Sequence, residues 1–393
     1  MAEEGGAQVS TVLESARRVA PLAAETARSN ERERALGVEL VNELRDGGLL
    51  HMCLPGSLGG GEVEPRELIL ALEELARGDG AAGWCAMVAS TSCLLGAYLP
   101  TARAEEVYAG GRNVLAGVFA PRGRALRRER DFLVGGRWPF VSGVGHCDWL
   151  MAGCLVFGES GDAPEALASG APDVRLMLMP RERVQVLDTW SVAGLCGTGS
   201  HDIAADRVEV PHELGVSLFT QRPLHDGALY AFPLFGLLAL GICAVGLGIA
   251  RGALDELSAL ARGKRPAPGA RALAERSTIQ AEVARAEGGL RSARAFVLEQ
   301  VDEAWRAAQD GGTLSEAHRL GLRLAATHGT WAAAEAVTAA YHAAGGVAIY
   351  LDSPLQRRLR DIHVATQHIM VAPATWELTG RLLLGLPTDI TQL

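Results

Sequence analysis

The pattern of apolar and polar positions predicts helices in the first part of the chain, up to about residue 112. Between Leu13 and Leu44 apolar residues recur on one helix face, with a single polar break. A second amphipathic stretch covers residues 65–77 and carries a proline in its first turn, where proline is tolerated. Residues 82–98 are almost continuously apolar, which predicts a helix that is buried on all sides.

The central part of the chain has a different pattern. Short runs rich in Val, Leu and Gly alternate with Gly, Pro and Asp turns, which is typical of strands. The runs cover residues 114–119, 131–135, 149–157, 174–179 and 207–211. This pattern predicts a β domain over residues 113–225.

The last part is again helical in pattern. Residues 228–250 carry no charge. This run is long enough to span a bilayer, but it continues as an amphipathic helix to residue 262. We therefore favour a buried helix within a bundle, with a membrane span as the alternative. Further helices are predicted over residues 271–309, 315–345, 354–370 and 373–385, with a linker at 264–270. The predicted fold is mainly α with a central β domain: a helical domain (1–112), a β domain (113–225) and a C-terminal four-helix bundle (226–393).

Charge and cysteine content narrow the function classes. The net charge of −9 disfavours a nucleic-acid partner, because polyphosphates need a basic face. The seven cysteines form no CxxC pair, which indicates reduced thiols and no metal site. The first residues lack the basic and apolar regions of a signal peptide, so we expect a cytoplasmic protein without a membrane anchor. Dinucleotide-binding, P-loop, zinc-protease and serine-hydrolase motifs are absent from the sequence.

Three segments carry a family resemblance. They cover residues 135–143 with Trp149, residues 187–211 and residues 345–361. Together with the helix–β–helix order, they resemble the acyl-CoA dehydrogenase superfold, whose central domain is a β-barrel. Within it they are most similar to the oxygenase components of two-component flavin-dependent monooxygenases of the p-hydroxyphenylacetate hydroxylase type.

The resemblance implies a reaction and its partners. It implies hydroxylation of a small aromatic substrate, polycyclic or indolic rings included, by O2 and reduced FAD or FMN through a C4a-hydroperoxyflavin. A separate flavin reductase would supply the reduced flavin by diffusion. It further implies a homo-oligomer, a tetramer in active relatives, and a role in secondary metabolism.

Two other functions stay open at this point. Dehydrogenases of this superfold need a carboxylate base, which the resemblance puts near Ile369. No Asp or Glu lies between Asp361 and Glu377. An acyl-CoA dehydrogenase or oxidase with FAD would need its base elsewhere, such as Glu256 or Glu377. The third function is a catalytically silent flavin-binding or scaffold protein.

Two histidines are candidates for the catalytic group. His368 is adjacent to the missing base, and imidazole suits proton transfer near neutral pH. His363 lies five residues earlier, which is about 140° of rotation on a regular helix, so both cannot face one site. We favour His368 and rank His363 second, because His368 lies seven residues after Asp361 and would share its helix face, and because Pro373 ends the helix soon after it. Each also has an ordinary structural explanation.

The resemblance assigns further site residues, each of which has an ordinary core or loop explanation as well. Ser142, catalytic and flavin-binding, lies beside Gly143 in a turn near flavin N5, and Trp138 (with Trp149) walls the ring. Thr198 and Ser200 offer backbone N–H groups to the flavin phosphate. Contacts to the flavin of a neighbouring subunit come from Arg276, Gln280, Gly345 and Gly346. Trp84 and Ser92 face the substrate; Ser92 stands where relatives acting on phenols carry a histidine.

Overall fold

Five helices precede the first strand in the computed structural model, which describes residues 11–158, 161–263, 272–311, 314–391 and 393. They are α1 (Val12–Glu33), α2 (Val38–Asp46), α3 (Pro65–Gly78), α4 (Gly80–Ser92) and α5 (Thr101–Tyr108). Thr11 and Glu14 form a capping box at the start of α1. Asp79 caps α4 by accepting a hydrogen bond from the N–H of Ala81. Helix α4 is buried nearly throughout, as its apolar sequence predicts.

One mixed sheet follows the first helices. Its strands are β1 (Leu115–Arg127), β2 (Asp131–Trp138), β3 (Trp149–Phe157), β4 (Val174–Pro180), β5 (Gln185–Leu187), β6 (Asp202–Pro211) and β7 (Gly215–Val216). Their order in the sheet is β5-β6-β2-β1-β3-β4-β7. Strands β1 and β3 pair in parallel, and the other neighbours are antiparallel. The short edge strands β5 and β7 were not predicted from the sequence.

The remaining helices pack around one long apolar helix. They are α6 (Ala228–Ala231), α7 (Leu234–Gly263), α8 (Ser277–Gln309), α9 (Glu316–Ala344), α10 (Pro354–Ala365) and α11 (Ala374–Leu383). Helix α7 contacts α3, α4, α9 and α10. The predicted fold class, mainly α with a central β domain, is confirmed. The boundaries at residues 112 and 225 stay predictions, and the linker 264–270 lies outside the described residues.

Two segments of the described chain are long and apolar enough to cross a membrane. They are Gly80–Tyr98 and Leu234–Gly263, and 94% and 83% of their most apolar windows are buried inside the protein. Burial on all sides identifies both as core helices, which favours the bundle interpretation of the uncharged run.

One predicted helix is too long. The helix expected over residues 354–370 ends at Ala365. The backbone then changes to bonds between residues three apart, from the N–H of Gln367 to Val364 and from the N–H of His368 to Ala365. His368 therefore lies in a turn beyond α10, so the argument that it shares a helix face with Asp361 is wrong.

Candidate active site

Ser142 lies where the helical and β domains meet. Its Oγ accepts a hydrogen bond from the indole Nε1–H of Trp84 over 3.0 Å and lies 2.8 Å from Ser200 Oγ. All three side chains are buried. Trp84 comes from the middle of α4, and Ser142 from the turn that follows β2. The structure thus brings together three residues that the sequence analysis assigned separately.

The hydroxyl contacts continue from Ser200 into the loop before β6. Ser200 Oγ lies 2.6 Å from Thr198 Oγ1, and Thr198 Oγ1 donates to the carbonyl of Leu195 over 2.8 Å. The N–H of Gly143 donates to the carbonyl of Thr198 over 2.9 Å and ties the two loops together. Thr198 and Ser200 therefore contribute hydroxyl groups to a buried chain. The expectation that their backbone N–H groups bind phosphate stays a prediction.

The backbone of this loop is held tightly. A Cβ at Gly194 would lie 2.4 Å from the carbonyl of Arg360, so only glycine fits against α10 there. Gly199 has φ +53° and approaches the carbonyl of Arg34, where a side chain would collide. The N–H of Leu195 donates to Asp361 Oδ1 over 2.6 Å. The C-terminal bundle thereby positions the hydroxyl chain.

Asp361 is a buried carboxyl with a shifted pKa. Burial raises its pKa from 3.8 to about 7, and the nearby Asp79 adds to the increase. The Leu195 N–H and the cations of Arg357 and Arg360 act in the opposite direction. Near neutral pH this carboxyl is consequently part protonated.

His368 lies beside Trp84. The two rings meet edge to face, with centroids 5.8 Å apart and planes at 64°. Its Nδ1 accepts a hydrogen bond from the N–H of Met370 over 3.3 Å. Burial lowers the pKa of the imidazole to about 4, and the charge of Arg323 lowers it further. The ring is therefore neutral at neutral pH, with its proton on Nε2.

Ser92 ends the helix that carries Trp84. Its side chain is buried, and its Oγ is without a hydrogen-bond partner among the described residues. Its carbonyl accepts a bond from the hydroxyl of Tyr108. A buried hydroxyl without a partner is unfavourable, so a ligand group that bonds Ser92 would gain affinity.

The structure corrects the role of Trp138. Its indole is 0% exposed and donates from Nε1 to the carbonyl of Gly153 over 2.7 Å. The ring belongs to the core of the sheet and has no face free for a ligand. Phe140, two residues later, is 68% exposed with φ +66° and meets Trp190 edge to face. No sequence signal indicated this conformation, which a bulky residue rarely adopts.

The other candidate residues lie apart from the hydroxyl chain. His363 is exposed, contacts Thr338 through Nε2 at 3.3 Å, and lines a groove of about 660 Å³ between α8, α9 and α10. Four residues are expected to contact the flavin of a neighbouring subunit, and all are exposed, near the start of α8 or the end of α9: Arg276, Gln280, Gly345 and Gly346. Within the described residues none of the five contacts Ser142, and their roles stay predictions.

His146 borders the site and was not among the candidates predicted from the sequence. The His146 Nε2 lies 3.0 Å from where a Cβ of Gly143 would be. Burial lowers its pKa to about 4. The sequence signal that could have identified His146 as a site residue is its position just after the Ser142–Gly143 turn.

Neither alternative carboxylate base joins the cluster. Glu256 pairs with the buried guanidinium of Arg358 at 2.9 Å. Glu377 is exposed on α11. Among the described residues, neither Glu256 nor Glu377 forms a hydrogen bond or ion pair with the Trp84–Ser142–His368 cluster, which disfavours either of them as the base for α,β-dehydrogenation.

Comparison with known proteins agrees with this geometry. Models of the acyl-CoA dehydrogenase N-terminal and C-terminal domains match residues 7–103 and 240–373. The chain is 32% identical to an indole-3-acetate monooxygenase of Pseudomonas putida, over 90% of this chain and 89% of that one. It is 28% identical to the oxygenase component of an FADH2-dependent resorcinol hydroxylase of Rhizobium, over 94% and 92%.

A solved structure shares the fold along the chain. XiaF from Streptomyces, in complex with FADH2 and glycerol, superposes with a TM-score of 0.88 at 25% identity, over 97% of each chain. The architecture and the relatives agree. This chain belongs to the family of flavin-dependent monooxygenases built on the acyl-CoA dehydrogenase fold.

Proposed function

We propose that this protein hydroxylates an indole-type aromatic substrate with O2, using reduced FAD or FMN from a separate flavin reductase. The observation that carries the proposal is the Trp84–Ser142–His368 cluster, in which Trp84 and Ser142 are buried and His368 is partly buried. The chain that holds it is 32% identical to an indole-3-acetate monooxygenase. A relative named for resorcinol supports an aromatic substrate class.

The residues around Ser142 fit a flavin ring. Such a ring needs an apolar wall and polar contacts at its edge. Phe140 supplies an exposed aromatic face, and Ser142 lies two residues away. A left-handed backbone at Phe140 is strained, and strain of this kind concentrates at ligand sites. When bound, reduced flavin supplies the electrons that activate O2.

The protein's own groups then orient and protect the reaction. Trp84 offers an aromatic edge beside His368 and restricts water in the site. The neutral imidazole of His368 donates a hydrogen bond from Nε2 toward the reacting oxygen. Ser92 bonds a polar group of the substrate with its partnerless hydroxyl.

The assembly and the cellular setting belong to the same proposal. We expect a homotetramer, because large apolar side chains are exposed next to the Gly345–Gly346 turn: Ile349, Tyr350 and Leu351. We expect the enzyme to act in the cytoplasm and in secondary metabolism.

The test supplies the purified protein with chemically reduced FAD or FMN, without a reductase. Indole-3-acetate, indole and resorcinol are supplied as substrates under isotopically labelled, heavy O2, and the product masses are measured by mass spectrometry. We expect one heavy oxygen atom in an indole product, and heat-denatured protein is the control. Bleaching of bound FAD by an acyl-CoA, without oxygenated product, would instead indicate a dehydrogenase. Flavin binding without any product would indicate a silent flavoprotein.

A further inference from the structure

The hydroxyl chain from Trp84 to Leu195 has a fixed direction. Its last member is a backbone carbonyl, which can only accept, so Thr198 Oγ1 must donate to Leu195. A hydroxyl has a single proton, and that of Thr198 is thereby used. Ser200 must then donate to Thr198 across the 2.6 Å contact.

The same argument fixes Ser142. The Ser200 proton points to Thr198, so Ser142 must donate to Ser200 across the 2.8 Å contact. Ser142 Oγ also accepts a hydrogen bond from the indole N–H of Trp84, and this N–H can only donate. The proton of Ser142 is therefore committed to the protein. Only an acceptor lone pair remains for a ligand.

We propose that Ser200 and Thr198 are positioning residues that make Ser142 a hydrogen-bond acceptor toward the flavin, and so make the site select reduced over oxidised flavin. The inference rests on the proposed function, in which the flavin ring lies beside Ser142. Reduced flavin carries a hydrogen on N5 and can donate to this lone pair. Oxidised flavin has a bare N5 acceptor, which would meet a second acceptor.

The surroundings hold the chain in this state. The four side chains that form the hydroxyl chain are buried: Trp84, Ser142, Thr198 and Ser200. In a buried setting an acceptor facing an acceptor is costly, because water does not replace the missing bond. The Asp361 contact to Leu195 N–H keeps the terminal carbonyl in place. Selection of reduced flavin suits an oxygenase that receives its electrons from a separate reductase.

The experiment measures dissociation constants of oxidised and of chemically reduced FMN, and of both states of FAD, under anaerobic conditions. We expect the wild type to bind the reduced state more tightly, by roughly tenfold. In Ser200→Ala, Ser142 loses its acceptor and can turn its proton to the flavin. We expect the preference to fall by roughly three- to tenfold, through tighter binding of oxidised flavin.

Thr198 offers a matched pair of variants. Thr198→Val keeps the volume but removes the hydroxyl, so Ser200 turns to donate to Ser142 and frees the proton of Ser142. Thr198→Ser keeps the hydroxyl and loses a methyl group. We expect the preference to fall in Thr198→Val and to persist in Thr198→Ser. A purely structural role would respond to lost volume and give the opposite order.

Ser90→Ala is the control for a lost buried hydroxyl. Ser90 is buried on α4 and bonds to the carbonyl of Leu49, outside the chain. We expect it to leave the preference unchanged. Equal binding of both redox states by the wild type, or an unchanged preference in both Ser200→Ala and Thr198→Val, would overturn the inference. Failure to bind flavin in either state would instead overturn the proposed function.

Discussion

The indole N–H of Trp84 donates to the hydroxyl of Ser142 over 3.0 Å. This bond joins α4 of the first helical part to the turn after β2, and the two residues are 58 positions apart in the chain. The ring of Trp84 also packs against the ring of His368, which connects the same residue to the C-terminal part. Trp84 therefore links all three parts of the molecule at the candidate site.

Two substitutions of Trp84 should distinguish what its hydrogen bond to Ser142 contributes to stability from what the packing of its ring contributes. Trp84→Phe keeps most of the buried ring but removes the N–H, and we expect it to lower the free energy of unfolding by about 0.5–1.5 kcal/mol. Trp84→Ala also leaves a cavity, and we expect a loss of roughly 3–5 kcal/mol. Urea unfolding of the two variants measures the difference. Equal losses would mean that packing of the ring contributes little.

The two candidate histidines should behave differently. In His368→Ala the donor beside Trp84 is lost, and we expect product formation to fall by roughly a hundredfold or more. The fold should persist, because His368 lies in a turn beyond α10. His363→Ala is assayed in parallel under the same saturating reduced flavin. A large loss in His363→Ala with normal activity in His368→Ala would reverse the assignment.

Acid should destabilise the protein partly through His368. Its pKa is about 4 in the folded chain and 6.5 ordinarily, so between these values only the unfolded state binds the proton. Stability is therefore lost as the pH falls from about 6.5 to about 4. His368→Gln should lose less stability than the wild type between about pH 7.5 and about pH 4.5, measured by urea midpoints. An identical acid response of the two proteins would contradict the shift.

The Asp361 carboxyl should have the opposite pH dependence. Its pKa is raised from 3.8 to about 7, so the folded state holds a proton that the unfolded state releases. Stability from this group is present at low pH and is lost as the pH rises through this window. Asp361→Asn keeps an oxygen for Leu195 N–H but does not titrate. It should gain stability relative to the wild type between about pH 5 and about pH 8, measured by thermal unfolding.

The exposed Asp352→Asn variant serves as the control for that comparison. It should follow the wild type at both pH values. A parallel response of Asp361→Asn and the wild type would mean that Asp361 is ionised throughout.

A methyl group at Gly194, in the loop that packs against α10, should disturb the candidate site although Gly194 is not itself a site residue. The Cβ would meet the carbonyl of Arg360 at 2.4 Å, so the loop carrying Leu195 must shift away from α10. We expect Gly194→Ala to destabilise the fold by about 1–3 kcal/mol and to weaken flavin binding. Gly289→Ala, in the exposed middle of α8 with open space around it, should be neutral or stabilise by up to about 1 kcal/mol. Equal effects at the two positions would contradict this account.

Much of the fold follows from local patterns. Strand β3 and helix α3 lie almost where a short apolar run and helical periodicity predicted them. The end of α10 did not follow, because Thr366, Gln367 and His368 carry no strong stop signal, although the backbone changes there to bonds between residues three apart. Local sequence also does not reveal that the strand ends at Trp138, which puts Trp138 in the core and leaves Phe140 exposed.

The site was predicted only in part. Resemblance assigned Ser142, Thr198, Ser200, Trp84 and His368, and the structure joins Ser142 to Trp84 and to Ser200. The position of Asp361 behind Leu195 was not predicted, because it depends on a contact between residues 166 positions apart. Long-range contacts of this kind have no periodic trace in the sequence.

The hydroxyl chain and the partnerless hydroxyl of Ser92 reside on separate pieces of backbone. Ser142, Thr198 and Ser200 come from turns of the β domain, whereas Ser92 ends a helix of the first domain. In the proposed function, a substitution at position 92 therefore changes the substrate contact without moving the turns that carry the hydroxyl chain, so substrate choice and flavin binding can be altered independently.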